Sequence, residues 1–275
     1  ELHPESRRLT AFTTPCGVYM FNRLPFGLAS AAAVFQKVMQ DVLRDCKNTM
    51  CFQDDVLVYG DTRGEHDEAL RMVMAKLGKA GMTIRPEKCV LGASSVDYLG
   101  HRISREGIKP KHSLVDCVVK ASPPRNKEEL RSFLGLAEFM AKYVMNFADI
   151  CVPLRDIGKK NQEFEWSQEC NDAFEKLKSA IANAPTLGTF DPKLRTFVTT
   201  DASMRGLGAT LSQVHQGQER IVAFASRSLT SAEANFSVVE REALACYWAV
   251  THFKFFVWGL PFVLRTDHKP LTYMF

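Results

Sequence analysis

The 275-residue chain has no apolar run fit to cross a membrane: its most hydrophobic stretch, residues 243–262, contains His252 and Lys254 and follows the charged Glu240-Arg241-Glu242. No basic and apolar leader with a small-residue cleavage site opens it, and its first residue is Glu1. Its eight cysteines form no C-x-x-C pair and have no histidine at zinc-ligand spacing, which argues against a disulfide framework or structural zinc and for reduced thiols. Neither sign of charge dominates. The 35 Lys and Arg exceed the 31 Asp and Glu by a net +4, which permits a polyanionic partner without demanding one. With 16 Gly, 12 Pro and no repeat of fixed period, collagen-like, low-complexity and solenoid readings fall away.

What is present suits folded domains: 46% of residues are hydrophobic and 24% charged, in a length suggesting about two domains of roughly 150 residues. Residues 9–13 read as a strand. Residues 30–43 read as a helix after the Pro25-Phe26-Gly27 loop, with Val34, Val38 and Val42 as its apolar positions. Two β-favouring runs, 49–52 and 56–59, flank Gln53-Asp54-Asp55 at hairpin spacing. A helix over 65–80, with Leu70, Val73, Met74 and Leu77, stops at Gly81, and short strands around Gly100 close a first domain near residue 105. Helices follow at 113–120 and 127–144, the second opened by Asn126 with Glu129 three residues on. A further helix at 167–182 turns Cys170, Phe174, Leu177 and Ile181 inward. From Arg195 the order is strand, strand, strand, helix, strand, over 196–201, 206–212, 220–225, 234–256 and 261–266.

Two groups of acids stand out against this background. Asp54 and Asp55 occupy a predicted hairpin tip. Adjacent carboxylates there can hold the paired divalent ions of nucleotidyl transfer, and two aspartates are also good turn formers. Asp201 ends a strand, and Asp267 ends another just before His268-Lys269-Pro270. Glu242 lies on the long intervening helix, on the face that carries Ala245, Cys246, Ala249 and Phe253. A carboxylate on a packing face costs several kcal/mol unless paired or metal-bound, so a metal site stands beside an edge salt bridge as a reading of Glu242.

The motifs around these acids carry a family resemblance. Leu24-Pro25-Phe26-Gly27-Leu28-Ala29-Ser30, Val34-Phe35-Gln36, Phe52-Gln53-Asp54-Asp55, Pro86-Glu87-Lys88-Cys89 and Tyr98-Leu99-Gly100-His101 resemble the palm of reverse transcriptases from gypsy-class long-terminal-repeat retrotransposons. Leu130-Arg131-Ser132-Phe133-Leu134-Gly135-Leu136 resembles the thumb helix, and Phe164-Glu165-Trp166 with Phe174 the linker. Thr200-Asp201-Ala202-Ser203, Glu240-Arg241-Glu242-Ala243-Leu244-Ala245 and Arg265-Thr266-Asp267-His268-Lys269-Pro270-Leu271 resemble RNase H motifs.

This resemblance implies an α+β palm at 1–105, a helical thumb at 106–165 and a helical linker at 166–192. An α/β RNase H-like domain follows at 193–275, with a mixed five-stranded sheet incomplete at its C-terminus. It implies RNA-directed DNA polymerase and ribonuclease H activities. The partners are then an RNA template, a DNA primer, the RNA/DNA hybrid and deoxynucleoside triphosphates, with no membrane and dimerisation left open. The setting is intracellular, in cytoplasm or virus-like particles, and not secreted.

By the same resemblance Asp54, Asp55, Asp201, Glu242 and Asp267 are catalytic metal ligands for two Mg²⁺ per active site, with Mn²⁺ as a substitute. Phe26, Gly27 and Lys88 face the nucleotide, and Tyr98, Leu99 and Gly100 hold the primer. The chain departs from the pattern at Phe52 (usually tyrosine), at Ala32 (usually proline) and over 139–143, where an arginine-rich stretch is expected. The first polymerase aspartate and the fourth RNase H acid are expected outside residues 1–275, so the segment alone is expected to be weakly active or inactive. The competing expectation is a catalytically dead, nucleic-acid-binding remnant of a retroelement.

Overall fold

Helix caps and apolar spacing account for most elements of the computed structural model, which describes residues 1–159 and 162–273. The chain forms two units, Glu1–Leu91 and Gly92–Phe275.

The first unit opens with α1 (Pro4–Arg7) and a 3-10 turn, Arg8–Thr10, before the hairpin of β1 (Phe12–Thr14) and β2 (Gly17–Tyr19). The strand expected from residue 9 begins later because the Thr10 hydroxyl donates to the Arg7 carbonyl (2.7 Å), a local bond that competes with extended backbone. Helix α2 (Ala31–Leu43) packs on α3 (Arg63–Lys79) through Met39, Leu43, Val73 and Leu77, with Cys46 beside them. This corrects the expected stripe: Val34 and Val38 are exposed, and only Val42 packs against the core. Between these helices lies the hairpin of β3 (Thr49–Phe52) and β4 (Asp55–Val58). Thr62 caps α3 by accepting the Glu65 amide, and the helix ends ahead of Gly81 at φ +70°.

In the second unit β5 (Ser95–Tyr98), β6 (His101–Ser104) and β7 (Gly107–Pro110) form an antiparallel meander. The third strand was not expected. It is held by reciprocal backbone bonds between Ile108 and Leu187 (2.8 and 2.9 Å), and a Cβ on Gly107 would lie 2.0 Å from the Leu187 carbonyl oxygen. Helices α4 (His112–Val119), α5 (Lys127–Phe139), α6 (Phe147–Ile150), α7 (Val152–Ile157) and α8 (Gln168–Ala182) surround a core that includes Val118, Leu130, Phe133, Leu154, Phe174 and Leu177. Asn126 caps α5 by accepting the Glu128 and Glu129 amides. That helix stops at Phe139 rather than 144, giving way to a 3-10 turn, Ala141–Tyr143.

Strands β8 (Thr196–Ala202), β9 (Gly206–His215), β10 (Gln218–Ser228) and β11 (Phe262–Thr266) make a mixed sheet in the order β10-β9-β8-β11. Only the β8–β11 pairing is parallel, and its crossover carries α9 (Val238–His252) and α10 (Lys254–Val257). Among the described residues the sheet has four strands, matching the four placed from the sequence at 196–201, 206–212, 220–225 and 261–266, and a 3-10 turn follows β11. The single helix expected over 234–256 starts at Val238, because Ser237 and Glu240 form a capping box there, and it is interrupted at Phe253.

The loop leading into α9 is held by a two-pronged ion pair, Arg227 to Glu233 (2.7 and 2.8 Å). The paired Arg227 hydrogen bonds first, and the Thr230 amide second, hold the Glu233 carboxyl down to about 2 from its ordinary 4.5. A depressed carboxylate stabilises the fold above its ordinary value and loses that contribution as pH falls through its folded value. Glu233→Gln is therefore expected to cost about 1 kcal/mol at pH 7 and progressively less as the pH falls from 4.5 toward 2, read by urea unfolding across that window.

Candidate active sites

In the first unit the β3–β4 hairpin closes through a two-residue turn, Gln53-Asp54, with Phe52 opposite Asp55. Gln53 takes φ +52°, a left-handed conformation of the kind tight hairpins use. Asp54 therefore sits in the turn and Asp55 begins β4, adjacent and both exposed. The Cys51 thiol registers both charges: burial pushes its pKa up first, and the Asp54 and Asp55 carboxylates push it further.

Gln36 of α2, given no role from its sequence, clamps this turn. Its amide nitrogen donates to the Cys51 carbonyl (3.0 Å), and its amide oxygen accepts from the Gln53 backbone N–H. In the sequence it stood only as the last residue of the Val34-Phe35-Gln36 motif, with no contact to predict from it. Phe26 is fully exposed, Gly27 takes φ +91° with open space around it, and Lys88 lies on an exposed 3-10 turn. These positions belong to open loops rather than to a closed pocket.

In the second unit Tyr98, Leu99 and Gly100 form the β5–β6 turn, with Leu99 at φ +49° and Gly100 at φ +77°. Tyr98 is buried and Leu99 projects outward.

In the same unit, Thr200 and Thr266 are the last paired residues of parallel β8 and β11, so Asp201, near the end of β8, and Asp267, just after β11, follow side by side. Small residues at Ala245 and Ala249 let α9 approach the sheet, where the Thr200 hydroxyl contacts the Cys246 thiol (3.3 Å) and the Arg265 carbonyl (3.3 Å). That packing buries Glu242, which is only 6% exposed. Burial raises its pKa first, then the charges of Asp267 and Asp201, against the lowering effects of His268 and a hydrogen bond from the Ala202 backbone. Its Oε2 is buried with no hydrogen-bond partner among the described residues. Glu240, two positions away, is spent on the helix cap.

An orphaned carboxylate oxygen beside two further carboxylates is the donor chemistry of a hard divalent cation. Among the described residues no three His, Cys, Asp or Glu side chains already converge as a ligand set. The three acids share one end of the sheet, within reach of one another's charge, without being closed around a point. Nor, among the described residues, is any helix long and apolar enough to cross a membrane.

Comparisons with known proteins identify the families that the two segments resemble. Residues 1–103 match the family described as reverse transcriptase (RNA-dependent DNA polymerase), and residues 166–264 match the RNase H-like domain found in reverse transcriptase. The chain is 37% identical over its whole length to the retrovirus-related Pol polyprotein from transposon 412 of Drosophila melanogaster. It is 31% identical over 95% of its length to the transposon Tf2-3 polyprotein of Schizosaccharomyces pombe. It spans 22% and 20% of those two relatives. Among solved structures, a foamy viral protease-reverse transcriptase in complex with double-stranded DNA superimposes with a TM-score of 0.88 at 25% identity, covering 99% of this chain and 49% of that one. The same viral enzyme in complex with an RNA/DNA hybrid gives 0.85 at 25% identity, covering 98% and 37%. Families of this kind generally use divalent metals. Residues 1–103 thus belong to the reverse transcriptases and residues 166–264 to the RNase H-like domains that accompany them, in the manner of long-terminal-repeat retrotransposon Pol polyproteins.

Proposed function

We propose that this chain carries the polymerase and ribonuclease H centres of a retroelement polyprotein, which copies RNA into DNA and cuts the RNA of the resulting hybrid. The observation that carries the reading is Glu242: a buried carboxylate with an unpartnered oxygen, charge-coupled to Asp201 and Asp267, in a segment related to RNase H. Asp201, Glu242 and Asp267 hold Mg²⁺, or Mn²⁺ in its place, at the cleavage site, and Asp54 with Asp55 does so at the polymerase site. Two such ions per site would lower the pKa of an attacking oxygen and offset charge on the leaving one.

The chain's own groups bind and orient the rest. Phe26 and Gly27 wall the deoxynucleotide, Lys88 offsets charge on departing pyrophosphate, and Tyr98, Leu99 and Gly100 hold the primer. The palm spans 1–105, the thumb 106–165, the linker 166–192 and the RNase H-like domain 193–275. The duplex is gripped through its backbone and shape, without a base-sequence code. These activities belong to the longer polypeptide and take place inside the cell, in the cytoplasm or in virus-like particles.

The test is RNA-templated primer extension together with hybrid cleavage by that polypeptide in Mg²⁺. Both activities are expected, and a protein that binds duplex while performing neither would be the inert remnant instead. Gln36 supplies a sharper check. Gln36→Leu strands the Cys51 carbonyl and the Gln53 amide, so it is expected to lower stability by about 1–3 kcal/mol. It should also slow extension about 10- to 100-fold by displacing the Asp54 turn, with hybrid cleavage unchanged in steady-state assays.

A further inference from the structure

His101 follows the Leu99-Gly100 turn, and three residues of one short segment enclose it. Its ring stacks on Phe139 at 4.9 Å between centroids and 8° between planes. Its Nδ1 lies 2.9 Å from the Tyr143 hydroxyl and its Nε2 lies 3.2 Å from the Lys142 ammonium. An ammonium can only donate, so Nε2 accepts from Lys142; a neutral imidazole then carries its proton on Nδ1 and donates it to the Tyr143 oxygen. Burial, and then the Lys142 charge, push the imidazole pKa down to about 4, so the neutral form persists at physiological pH. Tyr143 is 1% exposed and belongs to the helical core. The turn is pinned at Gly100 as well: its carbonyl accepts the Lys111 amide (3.0 Å), and a Cβ there would stand 2.6 Å from the Phe139 ring.

We propose that His101 is a positioning residue, which with Tyr143 and Phe139 fixes the Leu99-Gly100 turn against the helical layer so that the turn presents one orientation to the end of a nucleic-acid primer. The inference rests on the primer-holding reading of that turn. Polar contacts of a half-buried imidazole set orientation effectively, because they are directional where apolar packing is not. His101 makes no contact with reacting groups in this account, so its loss should appear in duplex affinity and not in turnover.

The experiment measures the dissociation constant for a labelled primer–template duplex by fluorescence anisotropy, without nucleotide, and KM and kcat for extension, on the longer polypeptide. Tyr143→Phe and His101→Phe are each expected to weaken duplex binding and raise the primer–template KM about fivefold, with kcat and hybrid cleavage within about twofold of the parent. The double variant should be no weaker than the worse single one, since both remove the same bond. His101→Gln, which keeps a flat donor and acceptor, should recover most of the affinity. Unchanged duplex binding in every variant overturns the inference, as does a parallel fall of kcat and hybrid cleavage, which would mark a merely structural role. A parent protein that binds duplex but does not extend it defeats the polymerase reading alone and leaves the binding comparison to decide this one.

Discussion

Glu242→Gln is expected to abolish hybrid cleavage while making the metal-free protein more stable. The substitution keeps the side chain's shape and its acceptor for the Ala202 amide but removes a negative charge buried beside Asp201 and Asp267. Relief of that desolvation and repulsion should raise the free energy of unfolding by about 1–3 kcal/mol in the presence of chelator. Cleavage should fall about a thousandfold or more, since several kcal/mol of charge stabilisation at the scissile phosphate would be lost. Mg²⁺ should raise the melting temperature of the parent by binding its native state, and have little such effect on the variant. A variant that loses both activity and stability would mean Glu242 serves the fold and not a cation site. Urea unfolding with and without Mg²⁺, beside a hybrid-cleavage assay, gives the comparison.

Asp54→Asn carries the second large effect. Asp54 lies in an exposed two-residue turn whose conformation asparagine tolerates well, so the fold should be indifferent to the change. Extension is expected to fall about a thousandfold or more with the loss of a cation ligand. Hybrid cleavage should continue at the parental rate because its acids lie on other elements. Asp201→Asn should produce the reverse pattern. Extension that survives Asp54→Asn defeats the polymerase assignment.

How much of this could be read from residues alone depended on whether a local pattern or a distant partner decided the outcome. In α8 the spacing of Cys170, Phe174, Leu177 and Ile181 admits only one buried face, and all four are buried. In α2 the run Ala31-Ala32-Ala33-Val34-Phe35 is apolar on several faces, and burial is settled by Val73 and Leu77 of another helix, so the inward residues became Met39 and Leu43. Strand β7 is four residues long and pairs locally with β6, and its outer edge is bonded to Leu187, far along the chain, which no local window contains. The β3–β4 hairpin and α5 announced themselves through their turn and cap residues, Asp54-Asp55 and Asn126.

The candidate sites divide in the same way. Glu242 was visible because an acid on a small, apolar helix face conflicts with its surroundings, and that conflict persists as the orphaned oxygen. Asp201 and Asp267 were visible as strand ends, although their adjacency required the parallel register of β8 and β11. Gln36 and His101 were legible only as members of the Val34-Phe35-Gln36 and Tyr98-Leu99-Gly100-His101 motifs, and Tyr143 only as part of the departure over 139–143; their contacts were not, since the partners are backbone groups or side chains brought in by tertiary folding. Phe26, Gly27 and Lys88 remain open loop positions in the structure, and their proposed roles depend on nucleotide being present.

The most direct test of the central claim is a crystal structure of the longer polypeptide with an RNA/DNA hybrid grown in Mn²⁺, read by anomalous scattering. The account predicts peaks at the carboxylates of Asp201, Glu242 and Asp267, and separately at Asp54, with ions in each pair roughly 3.5–4 Å apart. Strong anomalous peaks elsewhere on the protein, with neither acid group occupied, would contradict it.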